Sequence, residues 1–207
     1  MKKTIFTLVM TSLFTLTNVN AQEANSNDDT AYNKWQARFR IIAVSPSPDD
    51  DIDGADVDIS TTFVPEVDFT YFFNKHLAAE LILATTKHDV EIENGADLGN
   101  VWLLPPTLNF QYHFYVNDFK PYVGAGLNYT IFYGEDAGDL EDIDYDSSIG
   151  FSLQTGVDYS LNDKWFLNLD VKKLFLKTDV TINNDSSNKA EVEINPLIIG
   201  FGVGLKF

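Results

Sequence analysis

Apolar and polar residues alternate with a period of two along most of this chain, and the C-terminal end shows the pattern most cleanly. Counting back from the end, Phe207, Leu205, Val203, Phe201, Ile199 and Leu197 are all apolar, and between them stand Lys206, Gly204, Gly202, Gly200, Ile198 and Pro196. A period of two marks a strand with two unlike faces. One face is continuously apolar and ends on an aromatic ring; the other is mostly glycine with one charge. A soluble sandwich buries its apolar face and exposes its charges, whereas a membrane barrel turns the apolar face to lipid and keeps a polar interior.

Seven earlier segments alternate in the same way. Trp35, Ala37, Phe39, Ile41 and Ala43 oppose Gln36, Arg38 and Arg40; Phe63 to Phe73 oppose Val64, Glu66, Asp68, Thr70 and Phe72. Leu77, Ala79, Leu81 and Leu83 oppose Ala78, Glu80, Ile82 and Ala84; Leu108 to Phe114 oppose Thr107, Asn109, Gln111 and His113. Val123 to Ile131 oppose Tyr122, Gly124, Gly126, Asn128 and Thr130; Ile149, Phe151, Leu153, Val157 and Tyr159 oppose Gly150, Ser152, Gln154, Gly156 and Asp158; Trp165, Leu167, Leu169 and Val171 oppose Asn168, Asp170 and Lys172. Each segment is close to the ~9–11 residues that a tilted membrane strand needs. Short Asn- and Asp-rich turns at 73–76, 115–119 and 160–164 alternate with long polar loops near 45–60, 86–105, 133–147 and 177–191. The fold expected is all-β, an eight-stranded antiparallel transmembrane barrel with short periplasmic turns, long extracellular loops and both termini in the periplasm. Tyr71, Phe72, Phe73, Phe114, Tyr115, Phe119, Tyr122, Tyr159, Trp165, Phe166 and Phe207 gather near the short turns and are expected to form an interfacial girdle. A secreted sandwich or lipocalin-like barrel would have to bury the polar and charged face of nearly every strand.

The N-terminus fits export. Met1-Lys2-Lys3 is a basic start, Thr4 to Thr17 is a short apolar stretch, and Val19-Asn20-Ala21 offers a cleavage site before Gln22. Residues 1–21 are thus expected to be a signal peptide, residues 22–34 a flexible polar periplasmic tail, and residues 35–207 the barrel. The absence of cysteine excludes a lipoprotein anchor and disulfide staples. Later segments contain no run of 18 apolar residues, so no transmembrane helix is expected. Removing Lys2 and Lys3 takes the formal charge from −17 to −19, and a nucleic-acid partner is excluded because phosphate binding needs a basic face. The acid concentrates in Asp49–Asp58 and Glu135–Asp146, both in expected loops.

An eight-stranded barrel has an interior that side chains can nearly fill. At mid-height and below, the inward set includes Arg38, Arg40, Glu66, Asp68, Glu80, Asp158, Asp170, Lys172 and Lys206, a belt of both signs expected to close the lumen with ion pairs. Nearer the outer end the same face becomes Ile42, Val44, Val64, Ile82, Ala84, Leu174, Leu176 and Ile198, an apolar cup expected to line a ligand channel. These apolar residues could instead pack against a folded-in loop. With the floor blocked, a solute in the cup would have to leave sideways. Proline cannot donate a ladder hydrogen bond, which makes Pro65, Pro105, Pro106 and Pro196, all near outer strand ends, candidate sites for a gap or simple loop boundaries.

Catalytic signatures are missing. His76, His88 and His113 are scattered, and there is no His-Glu-x-x-His, Gly-x-Ser-x-Gly, phosphate loop or His-x-Ser pair. The chain is therefore expected not to be an enzyme and to need no cofactor or metal. Asp49-Asp-Asp51-Ile-Asp53-Gly54 matches the first half of a calcium loop, but position 12 is Ser60 rather than glutamate and no helices flank it. A solvated acidic loop, at most bridged by divalent ions to lipopolysaccharide, is the better expectation.

Several segments, in order, carry a resemblance: Trp35-Gln-Ala-Arg-Phe-Arg-Ile-Ile-Ala-Val-Ser-Pro46, Ala78-Ala-Glu-Leu81, Pro106-Thr-Leu-Asn-Phe-Gln-Tyr-His-Phe114, Pro121-Tyr-Val-Gly-Ala-Gly-Leu-Asn-Tyr129, Gly156-Val-Asp-Tyr159, Asn195-Pro196 and the terminal Phe207. Together they resemble the OmpW family of outer-membrane proteins from about Trp35 to the end. The resemblance implies a Gram-negative outer-membrane barrel with a narrow hydrophobic channel that passes small apolar molecules sideways into the membrane. It also implies that Phe207 is an assembly signal read by the barrel-insertion machinery. Expected partners are outer-membrane lipids, lipopolysaccharide and small hydrophobic solutes, with phage or bacteriocins as candidate visitors to the loops. The alternative is a structural, adhesion or receptor barrel whose lumen is inert and whose loops do the work.

Overall fold

The computed structural model describes residues 32–45, 57–58, 61–92, 97–136, 143–182 and 189–207. The expected signal peptide, most of the tail and the acidic segment Asp49–Gly54 lie outside the described residues. Residues Asn33–Phe207 form one compact unit, and every regular element described in it is a strand.

The strands follow as hairpins. β1 (Trp35–Ser45) leads through β2 (Val57–Asp58) to β3 (Thr62–Phe72). Then come β4 (Leu77–Ala84), β5 (Thr86–Ile92), β6 (Asp97–Leu104), β7 (Thr107–His113) and β8 (Phe119–Asp136), the longest at 18 residues. β9 (Ile143–Tyr145), β10 (Ser148–Ser160), β11 (Trp165–Phe175), β12 (Lys177–Ile182), β13 (Lys189–Glu193) and β14 (Leu197–Lys206) complete the chain. Eight of them close an antiparallel ring in the order β1, β3, β4, β7, β8, β10, β11, β14 and back to β1. Closure removes the unpaired edges that would otherwise recruit other strands. The last residue completes the seam: Trp35 and Phe207 exchange backbone hydrogen bonds at 3.1 and 2.9 Å.

Turn chemistry fixes one end. Asn74 Oδ1 accepts from the backbone N–H groups of His76 and Leu77, and Asn162 Oδ1 from those of Lys164 and Trp165, all at 2.9 Å. These are the side-chain turns that Asn supplies best. Asn117, at φ 55°, takes the left-handed position of the third turn.

The faces are inverted relative to a soluble protein. Phe63 and Ile149 are each 72 % exposed and Phe151 66 %, while Arg38, Arg40, Asp68, Glu80 and Asp170 are 2 % exposed or less. The glycine face of β14 lies inward because its neighbours need the room. A Cβ on Gly202 would stand 2.0 Å from the Phe39 carbonyl oxygen, and one on Gly204 2.1 Å from the Phe166 ring.

Beyond the ring the structure departs from the expected loops. The sequence predicts polar loops near 45–60, 86–105, 133–147 and 177–191, yet these segments hold β2, β5, β6, β9, β12 and β13, and β8 continues to Asp136. The reason is pairing without a lipid face. β4 meets β7 at Ile82–Thr107 and, beyond the intervening prolines, β5 meets β6 at Thr86–Leu103 in the same register. Strands that leave the bilayer need no apolar side, so the alternation that reveals them fades while their backbone ladders persist. β2, β5 and β6 form a sheet with the upper part of β8, and β9, β12 and β13 form a second.

Candidate functional site

The lumen is built in three layers. At the short-turn end, Phe72, Phe166 and Tyr122 are at most 2 % exposed and point inward. This corrects their placement in the outer girdle: they share strand parity with Thr70, Asn168 and Gly124, and parity outranks proximity to a turn. Tyr71, Phe73, Phe114, Tyr115, Phe119, Tyr159, Trp165 and Phe207 remain on the outer side, with ring pairs such as Phe119–Tyr159 at 4.9 Å. Inside, the Phe72 and His113 rings lie 4.8 Å apart, and Lys120 Nζ stands 4.6 Å over the Phe72 ring.

The second layer is the charge belt. Arg38 donates Nε to Asp68 at 2.9 Å, with Glu80 at 3.4 Å and Asp158 at 3.6 Å from its other nitrogens. Arg40 donates Nε to Glu66 at 2.7 Å and approaches Asp68 at 2.7 Å and Glu80 at 3.1 Å. Lys172 Nζ bridges Glu66 and Asp170, each at 2.8 Å. The structure thus brings together Arg38, Arg40, Glu66, Asp68, Glu80, Asp170 and Lys172, across strands as distant in sequence as β1 and β11. Lys206 stands apart at the rim, its Nζ 3.0 Å from Ser160 Oγ. Neutral groups knit the belt further. Tyr122 donates its hydroxyl to Asp170 at 2.6 Å, Gln111 donates to Glu80 at 2.7 Å, and Asn168 accepts from Arg40 at 3.0 Å. Low dielectric strengthens such a network when every member is paired. Lys120, Gln111, Gln154 and Asn168 carry no role in the sequence reading, although strand parity puts them on the inner face.

The third layer is apolar. Ile42, Val44, Val64, Leu174 and Ile198 form one buried cluster with Ala84 packed against it. Above the belt lies a cavity of about 50 Å³, lined by Ile42, Val44, Ile82, Ala84, Leu174, Leu176 and Ile198. Val64 belongs to the cluster but not to the cavity wall. One water needs ~10–15 Å³, so the space accepts several waters or the end of a small solute. Glu66 and Lys172 of the belt, Pro105 and Pro196 complete the lining together with Thr86, Leu103, Thr107, Thr130 and Ile194, five residues that the sequence reading did not place in the cup. Leu103 and Ile194 also join Val101, Phe132 and Tyr145 in a second apolar cluster higher up, where the Phe132 and Tyr145 rings stack at 5.5 Å.

Two ladders lapse at the height of this cavity and a third is held through a proline. The β3–β4 pairing ends at Glu66–Ala84, beside Pro65. Pro105 and Pro106 separate the β4–β7 ladder from the β5–β6 ladder. There the Pro105 carbonyl accepts from Asn128 at 3.2 Å and from Thr107 Oγ1 at 3.1 Å, so the missing strand partner leaves no orphan acceptor. At Pro196 the β11–β14 and β12–β13 pairings meet: Leu174 N–H donates to the Pro196 carbonyl and Ile194 N–H to the Leu176 carbonyl, each at 3.1 Å, while Asn195 Oδ1 accepts the Leu176 N–H at 3.2 Å. Ala84, Pro105 and Pro196 all line the cavity.

Comparisons with known proteins agree with this architecture. The OmpW family matches residues 34–207. A Sinorhizobium fredii protein described as "Uncharacterized outer-membrane protein y4mB" is 42% identical over 183 residues, covering 84% of this chain and 80% of that protein. Outer membrane protein W of Vibrio cholerae is 38% identical over 153 residues, 66% of this chain and 70% of that one. The crystal structure of the outer membrane protein OprG from Pseudomonas aeruginosa superposes with a TM-score of 0.77 at 26% identity, covering 84% of this chain and 96% of that one.

Proposed function

The chain belongs to the OmpW family and is an outer-membrane β-barrel; from that premise we propose that it is a passive conduit for small apolar molecules, which enter the cup from outside and leave sideways into the membrane. The observation that carries this is the placement of an apolar cavity directly on a closed, charged floor. An apolar solute gains about 25 cal/mol for each Å² it removes from water in the cup. It gains nothing by pushing into the belt, where every step would break paired charges.

The exit lies at the seam between β4 and β7. Ala84 and Pro105 flank the lapse there and both line the cavity. Because the Pro105 carbonyl is already satisfied by Asn128 and Thr107, parting this seam costs no backbone ladder bond at Pro105 or Pro106. The barrel performs no chemical step in this scheme and takes no cofactor.

The test is a double substitution, Ile82→Asn with Leu174→Asn, in barrels reconstituted into vesicles. Both side chains are buried, at 3 % and 4 % exposure, and neither touches lipid. Uptake of a small apolar probe should fall while heat-resistant gel migration persists. Unchanged uptake with the fold intact would favour a barrel whose lumen is inert and whose loops do the work.

A further inference from the structure

The cavity has apolar walls but a polar base. Two of its lining residues are charged, Glu66 and Lys172, and each is 2 % exposed. Glu66 Oε1 accepts both from Arg40 Nε at 2.7 Å and from Lys172 Nζ at 2.8 Å. Its other oxygen, Oε2, takes no hydrogen bond from any described residue. Lys172 Nζ donates to Glu66 Oε1 and to Asp170 Oδ1; an ammonium carries three donors, so one N–H remains. A carboxylate oxygen with spare acceptor capacity therefore sits beside an ammonium with a spare donor, at the foot of an apolar cup. Buried polar groups of this kind are normally paired.

We infer that Glu66 and Lys172 form a head-group subsite for a neutral solute that carries a hydroxyl on an apolar body, an alcohol or phenol. The inference rests on the conduit proposed above and names the solute class that suits it. A hydroxyl donates to Glu66 Oε2 and accepts from Lys172, satisfying both groups at once. An ammonium head offers no acceptor and faces Lys172. A carboxylate head offers no donor and faces Glu66 and Asp170. A hydrocarbon or an ether fits the walls but leaves Oε2 unpaired.

Two isomers separate this idea from plain hydrophobicity: hexan-1-ol and methyl pentyl ether have the same atoms, but only the alcohol donates. Each is titrated into the intact barrel in zwitterionic nanodiscs, with the methyl resonances of Ile42, Ile82 and Ile198 reporting occupancy of the cup. Hexan-1-ol should bind about tenfold tighter or better, the lower end of what a hydrogen bond to a charged group supplies. In Glu66→Gln the amide oxygen is held by Arg40 and Lys172, so an N–H faces the cup and the preference should shrink to within about twofold. Equal affinities in the wild-type barrel, or tighter ether binding, would overturn the subsite and leave the conduit standing, since both isomers would still occupy the cup. A preference that survived in Glu66→Gln would overturn the assignment to Glu66. If neither isomer shifted the three isoleucines, the conduit would fall along with the subsite. Should Glu66→Gln not fold, the wild-type comparison decides alone.

Discussion

Replacing Arg40 by methionine should cost the barrel about 3–5 kcal/mol, the usual penalty for removing one partner of a buried ion pair. Arg40 is 0 % exposed and lies within 3.6 Å of Glu66, Asp68, Glu80 and Asp170. The loss is not the sum of four pairs. Arg38 still holds Asp68 and Glu80, and Lys172 still holds Glu66 and Asp170, so each carboxylate keeps one cation. Methionine also returns some packing at similar length. What cannot be recovered is the Nε–Glu66 bond at 2.7 Å and the guanidinium that lies between two pairs of acids. Equilibrium urea unfolding in lipid bilayers, followed by the fluorescence of the three tryptophans, would measure the cost. Ile41→Met is the control: Ile41 is 50 % exposed on the outer face and should change stability by less than about 0.5 kcal/mol. A loss below about 1 kcal/mol for Arg40→Met, with the fold retained, would refute the view that the belt is a tightly paired floor. A weakened floor should also leak, so small-ion conductance should rise in the same variant.

Leu169 is 49 % exposed and faces lipid, so Leu169→Arg should cost about 2–4 kcal/mol if it sits near the midplane; a neutral result in bilayer unfolding would mean the outer face is not lipid-exposed. Deleting Phe207 removes the residue that zips to Trp35, and cell fractionation should find the truncated chain accumulating in the periplasm; normal surface levels would count against an assembly role. Glu193 is hydrogen-bonded to Lys177 and Asn195, and these partners hold its carboxyl below the ordinary range. A depressed carboxyl stabilises the β12–β13 hairpin above its unfolded pKa and ceases to do so as pH falls through the folded one. The protection of the β12–β13 amides, taken as the ratio of intrinsic to observed exchange rate at each pH, should therefore fall on acidification in the wild-type barrel and respond less in Glu193→Gln.

The fold was legible in the sequence because the bilayer imposes a strict rule on every spanning residue. Lipid demands an apolar face on each strand, so eight two-faced segments and their facing could be read from alternation alone. Outside the bilayer that demand ends, and β5, β6, β12 and β13 became invisible although they continue the registers of the strands below them. The inner wall was legible by parity: Arg38, Glu66, Glu80 and Ile82 all lie where alternation put them. Phe72, Tyr122 and Phe166 were misjudged because their aromatic character suggested an interface, when their parity already placed them inside. Pairings such as Arg40–Asn168 span 128 positions in sequence, and no local pattern encodes which inward residues meet across a lumen. The free oxygen of Glu66 belongs to the same category, since it emerges only once Arg40 and Lys172 converge on its neighbour.

If the barrel is the conduit proposed above, the length of β8 decides where a solute would be captured. Eighteen extended residues span about 60 Å at ~3.4 Å each, while crossing the hydrocarbon needs only ~9–11. Even with tilt, several residues of wall stand proud of the acyl chains, and they bring Phe132 of the upper apolar cluster with them. An oily molecule approaching a Gram-negative cell meets a dense layer of sugars and fixed charge before it reaches anything that dissolves it. In the proposed conduit, a raised rim with an apolar lining would act there as a chimney. It would offer a stairway through the one stratum in which such a molecule is least soluble, and would hand it over at the depth where the membrane itself becomes the better solvent.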